Sequence, residues 1–196
     1  MPKIVDHDKR KEDITQKAMS VFIEKGYYNT NLIDIAKKCG IGRTTLYRYF
    51  KNKDDIFQYA LIKITRSIKD EFKKVMELKD VSFIDKIKIL ISRLVTEYKK
   101  GNMIVALIDY WLIMRRENNP ILSRIHGNIQ EIRNAFKQLL NEGIKSKEIR
   151  ALDKEKMTIT LYALLESLVL HLSYDNADSI DDHLKTVNIL IDGLRA

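Results

Sequence analysis

The chain is 196 residues long, 45% hydrophobic and 32% charged, with 35 Lys+Arg against 27 Asp+Glu and a formal net charge of +8. Seven Gly and two Pro are too few for the turn every 8–12 residues or so that a sandwich or barrel needs, and a single Cys excludes an internal disulfide framework or a multi-cysteine metal centre. The N-terminus lacks the apolar stretch of a secretory signal, and the longest apolar run, 103–114, carries Asp109 and falls short of the roughly 20 residues of a membrane span. Composition therefore predicts a mostly helical, cytoplasmic protein that stays off the membrane.

The first predicted helix covers 9–25, where Ile14, Ala18, Val21 and Phe22 make one stripe of a 3.6-residue period. Gly26 follows its last turn, where a left-handed residue is expected. Asn31, a good N-cap, opens a short helix over 32–38. The run Cys39-Gly40-Ile41-Gly42 leads into a second short helix over 43–50, and Asn52 caps a much longer one over 53–78. Further helices are predicted over 82–100, 103–116, from Pro120 to about 143, 153–174 and 179–194. The helix over 103–116 is apolar nearly all round, as a central buried helix would be.

Two short helices joined by a Gly-containing turn form a helix-turn-helix unit. Ile35, Cys39, Ile41, Leu46 and Tyr49 are its apolar positions, Ala36 leaves room for a close crossing, and Gly40 tolerates positive φ. On the second short helix Leu46 and Phe50 point inward. Arg43, Thr44, Tyr47 and Arg48 then fall on the other side, a face able to reach base edges and phosphates. A plain αα-hairpin explains Leu46, Phe50 and Gly40 equally well, but not four outward positions filled by Arg, Thr, Tyr and Arg. The net charge is compatible with nucleic acid without localising it, since residues 1–55 hold 12 basic and 8 acidic side chains.

Residues 14–56 resemble the DNA-binding domain of the TetR family of transcriptional regulators. The resemblance lies in the order and spacing of AlaMetSerValPheIleGluLysGlyTyr (18–27), AspIleAla (34–36), CysGlyIle (39–41), LeuTyrArgTyrPhe (46–50) and AsnLysAspAspIlePhe (52–57). It implies an all-α fold, with a three-helix helix-turn-helix domain over 1–52 and a larger helical regulatory, ligand-binding and dimerisation domain over 53–196. It further implies that Arg43, Thr44 and Thr45 read bases, and that Tyr47 and Tyr49, with Arg48 beside them, meet phosphates. Lys53 matches a lysine that usually contacts phosphate at the start of the fourth helix, and Thr30 and Asn31 place short polar groups at the start of the second. Gly42 departs from the family, which often has Ser or Thr there; Gly still caps at little cost.

The last two predicted helices suit pairing. The 153–174 helix is apolar all round, so one face could meet its own core and the other a second subunit, or both could be buried within a monomer. The family's last two helices commonly form a four-helix dimer interface, which makes Leu168, Leu172, Val187 and Ile191 candidate interface residues. By the same analogy the C-terminal part holds a small apolar or amphipathic ligand. Its candidate contacts are Tyr98, Asp109, Tyr110, Trp111, Met114, Phe136, Tyr162 and Glu166, with His171 read as an interface histidine, and each is individually as compatible with plain core or a wet face. No spacing of His7, His126, His171 and His183 suggests a metal site, and no cofactor is implied. No nucleophile motif, P-loop or zinc-protease motif points to an enzyme. The expected function is a homodimeric repressor released from a double-stranded DNA operator by a small molecule. The alternative is a ligand-independent DNA-binding adaptor whose C-terminal domain docks another protein.

Overall fold

The computed structural model describes residues 7–99, 103–117, 122–174 and 180–196. They form α1 (His7–Lys25), α2 (Leu32–Cys39), α3 (Arg43–Tyr47), α4 (Lys53–Met76), α5 (Phe83–Lys99), α6 (Met103–Arg116), α7 (Leu122–Lys145), α8 (Lys154–Tyr174) and α9 (Ile180–Asp192). The fold is all-α; one isolated antiparallel bridge joins Ile149 to Arg195. Among the described residues no helix is long and apolar enough to cross a membrane, and no group of three or more His, Cys, Asp or Glu could hold a metal ion.

The chain folds as two compact units. The first takes residues 1–63 and 101–125, and the second 64–100 and 126–196. In the first, α1 packs on α2 and on α6, and α2 on α3. Its core joins Ile14, Ala18 and Phe22 of α1 to Ile35 and Ala36 of α2, Leu46 and Phe50 around α3, and Phe57 of α4. Tyr110 and Met114 of α6 complete it. In the second, α5 packs against α8 and α9, which pack on each other. Ile87, Leu90, Ile91 and Leu94 of α5 are buried with Leu161, Leu165 and Leu168 of α8 and Val187 and Ile191 of α9.

Helix ends follow local chemistry. Asn31 caps α2 by accepting from the amides of Ile33 (2.9 Å) and Asp34 (3.0 Å), and the Asp34 carboxylate returns to the Asn31 amide at 3.1 Å, a reciprocal box that satisfies orphan donors at the helix start. Asn52 accepts from Asp55 at 2.8 Å, and Ser82 from Asp85 at 3.1 Å. Gly26 and Gly40 adopt φ of 77° and 64°, the left-handed values that end α1 and α2 without a Cβ penalty.

Several ends differ from the periodic reading by one to three residues, among them the start of α1 at His7 and the end of α4 at Met76, and two of them have a visible cause. Helix α3 stops at Tyr47 rather than 50, because the amides of Arg48 and Tyr49 turn to the carbonyls three residues back (3.2 and 2.9 Å). This tight turn still buries Phe50. Helix α9 stops at Asp192 rather than 194, because the Leu194 carbonyl accepts from Arg150 at 3.1 Å and leaves the helix for the bridge. Pro120 and Ser179, expected at helix starts, lie outside the described residues.

Candidate nucleic-acid interface

The helix-turn-helix unit is built on the crossing of α2 and α3. Ile35, Ala36 and Leu46 are buried at that crossing, and Gly40 carries the chain round the turn between them. With Leu46 and Phe50 inward, Arg43, Thr44, Tyr47 and Arg48 are exposed together on one face and Thr45 and Tyr49 are half-buried at its edges. The Arg43 guanidinium donates to the Tyr47 hydroxyl at 3.2 Å and lies 5.4 Å from that ring's centroid, so it is partly held in place before any partner arrives. Tyr49 stacks on His7, with centroids 4.7 Å apart.

Two ion pairs lock α2 to the end of α1: Lys25 to Asp34 at 2.7 Å and Lys38 to Glu24 at 2.8 Å. Hydrogen bonds from Lys25 and from the Asn31 amide hold the Asp34 carboxyl below its usual range. Cys39 is buried in the same core, which raises its thiol pKa and leaves it an inert packing group.

Not every expected phosphate contact faces outward with this group. Asn31 is exposed, with its side-chain oxygen committed to the cap. Thr30 is buried, and its hydroxyl donates to the Gly26 carbonyl at 2.8 Å, closing the turn between α1 and α2. Lys53 is half-buried and donates to main-chain carbonyls of the same turn.

The core of the first unit also holds an aromatic cluster that periodicity alone could not assemble. The Tyr27 ring meets Phe22, Phe57 and Tyr110, and Tyr110 of α6 stacks on Phe57 at 4.0 Å with the planes 7° apart. Both phenols donate to Asp54 at the start of α4, Tyr110 from 3.3 Å. Burial first, then the Asp54 carboxylate, pushes both phenol pKa values above their usual range. One residue on, the Tyr28 hydroxyl donates to Glu117 just past α6. Tyr110 and Glu117 are seven residues apart, on one face of a helix, so that face of α6 holds two successive residues of the α1–α2 turn.

The expected ligand residues fall in different places. Tyr110 and Met114 belong to the core of the first unit, and Trp111 is half-buried with Arg115 5.4 Å from its ring. Phe136 is fully buried in the second unit. Also there, Tyr162 is half-buried beneath Arg133, 5.0 Å from its centroid, and Glu166 is exposed. Three buried polar atoms of this unit, Arg133 Nε, Thr158 Oγ1 and His183 Nδ1, have no hydrogen-bond partner among the described residues. Thr158 sits one turn before Tyr162 on the same face of α8. The side chains of Tyr98, Asp109 and Leu172 lie outside the described residues.

Of the expected pairing residues, Leu168, Val187 and Ile191 are buried within the second unit. Among the described residues of α8 and α9, the large apolar side chains that are exposed are Ile159 (51% exposed), Ile189 (70%) and Leu190 (58%). Exposed Ala163 and Ser167 continue the Ile159 side of α8. His171 of α8 and His183 of α9 stack at 4.9 Å.

The family model for bacterial regulatory proteins of the tetR family matches residues 14–60, the segment that holds α2, α3 and the start of α4. The chain is 24% identical to the HTH-type transcriptional regulator PksA of Bacillus subtilis (strain 168) over 188 residues, covering 95% of this chain and 90% of that one. It is 30% identical over 141 residues to a fatty acid metabolism regulator protein of the same organism, covering 70% and 69%. Among solved structures it superposes on the transcriptional regulator FadR of Bacillus subtilis in complex with stearoyl-CoA, with a TM-score of 0.76 and 23% identity over 94% of this chain and 99% of that one. These relatives are regulators rather than enzymes.

Proposed function

Because this chain belongs to the TetR family of DNA-binding transcriptional regulators, we propose that it is a homodimeric repressor released from its operator by an amphipathic ligand carrying an acyl chain. The observation that carries the DNA-binding part is the exposed Arg43, Thr44, Tyr47 and Arg48 face on the helix that Leu46 and Phe50 anchor. Arg43, Thr44 and Thr45 read base edges, with Arg suited to a bidentate contact with guanine. Tyr47, Arg48 and Tyr49 contact phosphates, and the capped start of α2 at Asn31 favours a phosphate beside it. In functional terms residues 1–52 read DNA and residues 53–196 regulate it.

A helix-turn-helix monomer covers one half-site, and pairing spans two. The exposed Ile159, Ile189 and Leu190 support α8 and α9 as the pairing face. Small residues at 163 and 167 would let two helices approach closely. The buried Leu168, Val187 and Ile191 hold that face up from inside.

For the ligand, the 30% identity to a fatty acid metabolism regulator supports an acyl compound. The unpartnered Arg133 Nε and Thr158 Oγ1 beside Tyr162 support a polar or anionic head group in the second unit, since buried donors without partners are costly. Within the first unit, Tyr110 and Glu117 tie α6 to the turn before α2, so a ligand that favours one placement of α6 would favour one placement of that turn.

Selection of duplexes from the chain's own upstream DNA, followed by titration with stearoyl-CoA and with free stearate, tests the reading. Enrichment of a two-fold symmetric site, and its release by one of the two compounds, is the expected result. Retention of the site at saturating ligand would favour the adaptor reading instead.

A further inference from the structure

The resemblance gives the lysine that opens α4 a phosphate, but here its ammonium is turned into the protein. Lys53 Nζ lies 2.7 Å from the carbonyl oxygen of Tyr27, 3.2 Å from that of Thr30 and 3.4 Å from that of Tyr28. It also lies 4.1 Å from the centroid of the Tyr27 ring, within cation–π range. An ammonium has three donors and no acceptor, and three carbonyls account for all of them. Burial lowers its pKa.

The segment so gripped is the turn between α1 and α2. It leaves α1 at left-handed Gly26 and enters α2 at the Asn31 cap. Its one internal main-chain bond is long, from the Thr30 amide to the Tyr27 carbonyl at 3.4 Å. The next residue of α4, Asp54, takes the Tyr27 hydroxyl. Consecutive residues at the start of α4 therefore hold Tyr27 by its carbonyl, its ring face and its hydroxyl. Where that turn sits decides where α2 starts, and α3 rides on α2.

We propose that Lys53 is a positioning residue of the reading head, acting on DNA by fixing the α1–α2 turn rather than by touching phosphate. This rests on the DNA-binding reading above, and the experiment separates the two. Lys53→Met removes the charge and all three donors, whereas Lys53→Arg keeps a charge for a phosphate but offers a planar fork where the carbonyls want a compact ammonium. Each variant is titrated across a salt series on two duplexes, the one the wild-type chain enriches from a random library and a scrambled one. Amide hydrogen exchange of residues 31–35 is followed without DNA.

A positioning role weakens Lys53→Met on the enriched duplex about tenfold and leaves the scrambled duplex nearly unchanged, because a displaced α3 loses base contacts first. The salt slope stays at the wild-type value, Lys53→Arg does not restore affinity, and exchange at the start of α2 accelerates. A phosphate contact would instead flatten the slope by about 0.9, weaken both duplexes alike and be rescued by Arg; that result overturns the proposal. So does faster exchange with unchanged DNA binding. If Lys53→Met fails to fold, Lys53→Arg alone decides by rescue or its absence. If the wild-type chain enriches no duplex, the regulator reading fails, and unchanged exchange in Lys53→Met would then separately refute the hold on the turn.

Discussion

Arg43 meets Tyr47 one helical turn away, and in the proposed base-reading role that contact would set how it arrives at a base. A guanidinium already donating to a phenol and lying by its ring loses less side-chain freedom on docking than one swinging in solvent. Arg43→Ala should therefore cost about 1–3 kcal/mol on the preferred duplex and relax preference at a single base position, read by repeating the duplex selection with the variant. Tyr47→Phe, which keeps the ring but removes the hydroxyl, should fall between.

Tyr27 and Tyr110 carry a second prediction at this scale. Their folded-state pKa values are raised, by burial and then by Asp54. The stability they contribute is thus complete below the unfolded tyrosine value of about 10 and is lost as pH rises past it. In an alkaline titration of phenolate absorbance, these two of the nine tyrosines should ionise only together with loss of helical circular dichroism. Smooth ionisation of all nine near pH 10 with the helices intact would contradict the cluster.

Among the elements, α7 holds two glycines in opposite settings. A Cβ at Gly143 would meet Ile149 Cδ1 at 2.4 Å and Cγ1 at 2.8 Å, with Phe83 Cβ at 3.0 Å, whereas one at Gly127 would meet nothing within 4 Å. Gly143→Ala should lower stability by about 1–3 kcal/mol through overpacking. Gly127→Ala should raise it by about 0.5–1 kcal/mol through helix propensity. Paired urea unfolding curves check both signs.

Elements with strong punctuation were legible from sequence. Gly26, Asn31, Gly40 and Asn52 mark ends that chemistry requires, and α1, α2 and the start of α4 fall where those residues put them. Helix α8 was legible as a helix but not as a surface. Apolar residues on all sides carry no period to tell the inward Leu168 from the outward Ile159. The facing of Lys53 was equally hidden, since an ammonium suits a phosphate and a trio of carbonyls alike and only the folded turn selects between them. Nor could any local pattern bring Tyr110 to Asp54, 56 positions away in sequence.

For the molecule as a whole, the pairing face proposed on α8 and α9 is the feature on which reading two half-sites would depend. Ile189 and Leu190 are exposed on α9 while Val187 and Ile191 beneath them are buried, so charges at the outer pair should break association without opening the core. Ile189→Lys with Leu190→Lys should halve the mass seen by light scattering, leave helical content unchanged and weaken binding to a full two-fold site far more than to a half-site. Dimers that persist in this double variant would place the pairing surface elsewhere.

Operator binding, pairing and release all presuppose that the α3 face reads DNA. The most direct measurement is anisotropy titration of the duplex enriched by the wild-type chain, across a salt series, with wild type and Arg43→Ala side by side. Tight wild-type binding whose logarithm falls linearly with the logarithm of salt concentration, together with a specific loss in the variant, is the predicted result. No enriched duplex, or equal binding by both proteins to every sequence, would contradict it.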